Sequence, residues 1–139
     1  MSLKQADDHT QCRAMSDVLN RVGDKWSVMI VGRLGDQTLR FSEIRRSIGT
    51  ISQRMLTLTL RNLERDGLVT RTVYPEVPPR VEYALTPLGQ SLRKPINALW
   101  DWSVDHYEDI TAARADYDAD QDEAAKPIRR PYAGREAQG

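Results

Sequence analysis

Residues 41–69, FSEIRRSIGTISQRMLTLTLRNLERDGLV, constrain this chain more than any other stretch: two apolar stripes of helical period stand either side of a break long enough only for a turn. Phe41, Ile44 and Ile48 recur at the three-and-four spacing of one helix face, with Ser42 as the expected N-cap. Gly49 and Thr50 interrupt the pattern. Ser52 is placed to cap a second helix, whose buried side is marked by Leu56, Leu60 and Leu63 until Asp66 and Gly67 stop it. This is the spacing of a helix-turn-helix.

The face turned away from those leucines carries the chemistry. At roughly 100° per residue, Arg54, Leu58, Arg61 and Arg65 fall within about 40° of the opposite side, with Gln53 and Thr57 flanking them. Arginine can grip guanine O6 and N7 with two hydrogen bonds, glutamine can do the same for adenine, and threonine or leucine can meet a thymine methyl. Gln53, Arg54, Thr57, Leu58 and Arg61 are therefore candidates for reading base edges. Ser42, Arg45 and Ser52 stand where phosphate would pass. Any helix of this length needs a polar outside, and on the helix alone that plainer explanation is the stronger one. The residues that follow shift the balance.

Beyond Gly67 the period changes from helical to alternating. Two β-branched and aromatic runs, about Val69 to Tyr74 and Val81 to Leu85, flank a loop holding Pro75, Pro78 and Pro79. A helix-turn-helix followed at once by a hairpin is a winged helix, in which the strand loop reaches DNA backbone or minor groove beside the recognition helix. Arg80 sits at the wing tip, a candidate for phosphate or minor groove. It could equally pair with Glu76 or Glu82 and hold the hairpin together.

The rest of the chain reads as helix. Residues 11–34 carry a helical pattern interrupted at Gly23, with Asp24 as a second N-cap, so two helices are expected, the second (WSVMIVGRL) apolar nearly all round and central to the core. Thr38 to Arg40 suggest a brief extended segment. Thr86 and Pro87 start a last helix with Leu88, Leu92, Ile96, Leu99 and Trp100 on one face, in which Pro95 is expected to make a kink or break. Trp100, Trp102 and Tyr107 exceed what a small winged domain needs for itself, and the first helix has a similar surplus in Met15, Val18 and Leu19. We expect these faces, with Met15, Val18, Leu19, Leu99, Trp100 and Trp102 as contacts, to pair with a second subunit. An intramolecular cap of the last helix on the first is the alternative. The fold expected is thus mainly α with a small β-hairpin wing, a winged helix-turn-helix dimerising through its N- and C-terminal helices. Residues 1–11 would be a flexible arm, 12–110 the DNA-binding domain, and 111–139 a polar tail too poor in apolar residues to pack.

Zero formal charge looks unpromising for a nucleic-acid binder, but it averages two unlike parts. Residues 1–100 hold 15 Lys plus Arg against 10 Asp plus Glu, a net of +5, and residues 101–139 hold 5 against 10, a net of −5. Local charge decides where phosphate is attracted. No apolar run approaches a membrane span and the start lacks the apolar core of a secretory signal, so a cytoplasmic protein without membrane partners is expected. There is no Gly-rich phosphate loop, nucleophile elbow or metal-ligand cluster. The expectation is of no enzyme, cofactor or metal. A single cysteine, Cys12, precludes an intrachain disulfide.

With the wing in place, the chain resembles the HxlR-type family of bacterial winged helix-turn-helix transcriptional regulators. GDKWSVMIVGRL, RFSEIRRSIGTISQRMLTLTLRNLERDGLV and YPEVPPRVEYALTPLGQSL carry the likeness, from Cys12 to about Trp102. It implies homodimers that bind operator DNA, through the helix starting near Ser52, at what specific recognition commonly uses, two half-sites. It also implies control of nearby genes, here read as repression, and in some members sensing of oxidants or electrophiles through an N-terminal cysteine. Cys12 stands at that place, and a neighbour such as Arg13 or a helix N-terminus would favour its thiolate. Packing alone would also explain it, and a small ligand is an alternative signal. Arg13 stands where proline is frequent, which changes little; Leu58-Thr59 stand where glutamines are common, so the DNA sequence read by relatives is not assumed for this chain. A winged helix for protein partners, without DNA specificity, is the reading from another class.

Overall fold

The structure, a computed structural model, describes residues 8–124. Helices α1 (Asp8–Val22) and α2 (Lys25–Leu34) are separated at Gly23. The Asp24 carboxylate accepts from Ser27 N at 3.1 Å, which occupies one of the amides that a helix start leaves without an intrahelical partner. Residues 8–11, expected in a loose arm, already belong to α1; residues 1–7 lie outside the described region. In α2, Ile30, Val31 and Leu34 are fully buried, as its near-continuous apolar surface requires.

Strand β1 (Leu39–Arg40) leads into α3 (Phe41–Ile48) and α4 (Gln53–Arg65). The N-cap of α3 is Arg40, not Ser42. Glu43, three residues on, reaches back to accept from Arg40 N at 2.8 Å, half of a capping box. Ser42 lies inside the first turn, exposed. Ser52 does cap α4, accepting from Met55 N at 3.0 Å, and Gly67 beyond the helix takes a positive φ of 77° that a side chain would resist. Leu56, Leu60 and Leu63 are buried with Ile44 and Ile48 of α3 and Ile30 of α2 in one core. Each such side chain is worth about 1.5–3 kcal/mol of burial.

The hairpin is β2 (Val69–Tyr74) and β3 (Arg80–Leu85), and β3 is the middle strand of an antiparallel sheet of order β1-β3-β2. The register pairs Val69 with Leu85 and Tyr74 with Arg80, while Leu39 pairs with Tyr83. Helix α5 (Pro87–Ala124) follows, its N-terminus tied to the wing root. Thr86 N donates to Leu68 O at 3.0 Å, Thr86 Oγ1 donates to Gly67 O at 2.6 Å, and Gly89 N donates to Thr86 Oγ1 at 3.0 Å. A Cβ at Gly89 would stand 2.1 Å from the Leu68 carbonyl oxygen, so the first turn of α5 can lie this close only without a side chain there.

Two expectations for α5 are corrected. The break offered for Pro95, as the alternative to a kink, does not occur: the helix is continuous through it. Proline removes one donor, and the carbonyl it strands belongs to the exposed Ser91, where water can replace it. The helix also continues to Ala124, through residues read as tail. Their side chains are exposed, so the composition does preclude a packed core, but five alanines and the absence of Gly or Pro from 111 to 124 favour helix without one. Residues 125–139 lie outside the described region.

The chain forms two compact units, one ending at Asn97 and one beginning at Ala98. The first holds the winged helix. In the second, α5 exposes Leu99, Trp100, Trp102, Val104 and Tyr107, and Trp102 stacks on His106 with ring centroids 4.5 Å apart. No helix among the described residues is long and apolar enough to cross a membrane.

Candidate nucleic-acid interface

Helix α4 is divided lengthwise. Its leucine side is sunk in the core, and Gln53, Arg54, Thr57 and Arg61 stand exposed along one flank of the opposite side. Among the described residues Arg54, Arg61 and Arg65 form no ion pair, so their guanidinium groups are uncommitted. Thr57 donates its hydroxyl hydrogen to Gln53 O at 2.9 Å, leaving its methyl group and oxygen lone pairs to face outward. No acid occupies the first turn of α4, so the partial positive charge of its N-terminus is undiminished.

The other flank of α4 has a different setting. Leu58, 45% exposed, and Arg65 line a hollow between α1 and α4 together with Met55, Thr59 and Asn62. The helical wheel placed Leu58 and Arg65 close to the centre of the outer face, but it takes no account of a neighbouring helix. Position α1 beside α4 and the outer face splits, with Gln53, Arg54, Thr57 and Arg61 on the flank away from the hollow.

On α3, Arg45 and Arg46 are exposed and unpaired among the described residues, and Ser42 is exposed beside them. The wing departs from expectation. Arg80 is engaged twice, with Glu76 at 2.9 Å and Glu82 at 2.8 Å, and lies over the Tyr74 ring at 3.9 Å. Its pKa is raised, first by the hydrogen bond to Glu76, against the opposing effect of desolvation, and further by the charges of both carboxylates. The register explains the pairing: Tyr74 is directly across from Arg80, and Glu82, two residues along β3, points to the same face. Arg80 is thus a brace within the hairpin rather than a free cation. The wing's exposed cation without an ion pair among the described residues is Arg71 on β2, which the sequence analysis did not select. Nothing local in the sequence signals another link, Arg21 Nε to Asp66 Oδ2 at 2.6 Å, which joins the end of α1 to the C-cap of α4 across 45 positions.

Cys12 is free and exposed on α1. Met15, Val18 and Leu19 are exposed on the same helix, at 37%, 53% and 66%.

The family model described as HxlR-like helix-turn-helix matches residues 21–111. An uncharacterized HTH-type transcriptional regulator from Methanothermobacter thermautotrophicus is 51% identical over 96 residues, which cover 69% of this chain and 72% of that protein. Among solved structures, ytfH from Salmonella typhimurium is 42% identical with a TM-score of 0.67, covering 73% of this chain and 90% of its own. The redox regulator HypR in its reduced form is 38% identical with a TM-score of 0.66, covering 71% and 98%. The match takes in both helices of the helix-turn-helix, the whole wing and α5 as far as Thr111, and the chain accordingly belongs to the HxlR-like helix-turn-helix family of transcriptional regulators.

Proposed function

We propose that the protein is a homodimeric, sequence-specific regulator that represses transcription by occupying an operator of two half-sites. The observation that carries this reading is the uncommitted arginine flank of α4, held outward by a fully buried leucine stripe on the same helix. Gln53, Arg54, Thr57 and Arg61 read base edges, with Leu58 at the margin. Ser42, Arg45 and the N-terminus capped by Ser52 take phosphate, and Arg71 replaces Arg80 as the phosphate-binding cation of the wing. Met15, Val18 and Leu19 of α1 and Leu99, Trp100 and Trp102 of α5 form the subunit contact, which would cover apolar side chains now exposed.

For the signal, we infer redox sensing at Cys12. Its exposure on α1 and the likeness to the redox regulator HypR support this. Lacking a second cysteine, the chain can end oxidation in an intersubunit disulfide, a mixed disulfide with a small thiol, or a sulfenic acid. Footprinting on the DNA upstream of its own gene, with and without diamide, tests both parts. The expected result is protection over two half-sites about one duplex turn apart, lost on oxidation and insensitive to oxidant in Cys12→Ser. Uniform protection without preferred sites would refute sequence-specific recognition, and equal diamide sensitivity in Cys12→Ser would refute the sensor.

A further inference from the structure

Behind the DNA-facing flank of α4 lies a hollow of about 780 Å³, walled by α1, α4 and the start of α5 and contained within the first unit. That size falls in the range of small-molecule sites, about 300–1,000 Å³. Its walls are chiefly apolar: Val22 from α1, Met55 and Leu58 from α4, then Leu68, Leu88 and Leu92, together with Val18, which is assigned above to the subunit contact.

The charged groups at its edge leave little net field. Arg21 and Asp66 neutralise each other at 2.6 Å, and Asp24 is committed to capping α2. Arg65 and Asp17, unpaired among the described residues, are of opposite sign. An ionic ligand would meet its own sign as well as its complement. Two side-chain amides of the lining, Asn20 and Asn62, have no hydrogen-bond partner among the described residues; Asn20 is exposed to water, whereas Asn62 is half-buried. The neighbouring Thr59 hydroxyl already donates to Met55 O at 2.7 Å. A half-buried amide with no protein partner is less well hydrated than an exposed one, and Asn62 is the group of the two placed to pair with a ligand.

We propose that this hollow binds an uncharged, largely apolar small molecule carrying a carbonyl or hydroxyl group that pairs with Asn62. The site deepens the regulatory reading above and depends on it only for the consequence of binding. Met55, Leu58 and Asn62 wall the hollow on the helix whose other flank carries Arg54 and Arg61. A ligand held between α1 and α4 therefore biases the setting of the DNA-facing residues, and DNA must in turn change ligand affinity by the same factor.

The test titrates the full chain with N-phenyl-1-naphthylamine, a neutral aromatic probe that brightens in apolar surroundings. One saturable site per chain is expected. Ser91→Trp and Leu88→Trp, each placing an indole at the hollow from an exposed position, should weaken it at least tenfold, and the sulfonated analogue 8-anilinonaphthalene-1-sulfonate should bind at least tenfold more weakly. Addition of the upstream duplex should change probe affinity at least fivefold. Unsaturable binding, or binding indifferent to both tryptophan variants, would overturn the site. Sulfonate binding as tight as the neutral probe would overturn the ligand class, and probe affinity untouched by DNA would overturn the coupling. Sedimentation of the tryptophan variants covers the remaining occupant: if either change turns dimers into monomers, the hollow seats a second copy of the chain and the proposal fails. Saturable probe binding by a chain that ignores DNA would leave the site standing and remove the proposed function instead.

Discussion

At the scale of single residues, most helix caps and the local pairing of Arg80 with Glu76 and Glu82 were legible, whereas the pair of Arg21 with Asp66 was not, because the two kinds of contact depend on different ranges of chain. A cap is settled within three or four positions, so Asp24, Ser52 and Thr86 are readable from their immediate neighbours. Ser42 was misread although the signal was present: Glu43 is three residues after Arg40, and a glutamate at that interval marks the preceding position as the cap. Whether Arg80 takes that pairing or stays free depends on strand register, which the proline loop does not specify. Two predictions follow from the guanidinium groups. Arg54→Ala should weaken operator binding by about 1–3 kcal/mol and relax one base position, measured by competition against single-base operator variants. On the wing, Arg71→Ala should reduce the slope of log affinity against log salt by roughly one, whereas Arg80→Ala should leave it unchanged. A reduced slope in Arg80→Ala would mean that its pairs with Glu76 and Glu82 yield to phosphate when DNA is present.

At the scale of elements, the sequence pattern located all eight segments and most of their ends, most firmly α2, α3 and α4, each of which has one side committed to a shared core. The exception is the distal half of α5. There the helix has no buried stripe for a pattern to report, and only backbone propensity supports it from Ala112 to Ala124. The wheel around α4 is incomplete for the converse reason: Leu58 and Arg65 are exposed on the outer side as it places them, and α1, 45 positions away through Arg21 and Asp66, puts a hollow beside them. If the distal segment contributes no packing, a chain ending at Thr111 should unfold within about 1 kcal/mol of the full chain, a typical bound for surface changes, with reduced ellipticity at 222 nm. A larger loss in a urea titration would show that residues beyond Thr111 stabilise the winged unit.

For the whole molecule, the question is what covers the exposed tryptophans. Replacing Leu99 and Trp100 together by glutamate should give a monomer by sedimentation velocity with an undisturbed winged unit. Its operator affinity should fall by at least about 100-fold, because each recognition helix must then bind without the high effective concentration that a linked partner supplies. A persistent dimer would place the subunit contact elsewhere. The division of charge between a basic first hundred residues and an acidic remainder belongs to the same scale, and on the proposed reading the basic part is the one that attracts phosphate.

The knot of Thr86, Gly89 and Leu68 limits how the wing can move. With the strand exit, the turn after α4 and the first turn of α5 locked to one another at spacings too close for a methyl group, the hairpin has no pivot at its base. Any fitting to a wider or narrower groove must take place at the outer end, among Pro75, Pro78 and Pro79. The wing should behave as a stiff strut, its tip restrained as well by the fixed φ of three prolines, and its angle to the duplex is then inherited from the angle at which α4 enters.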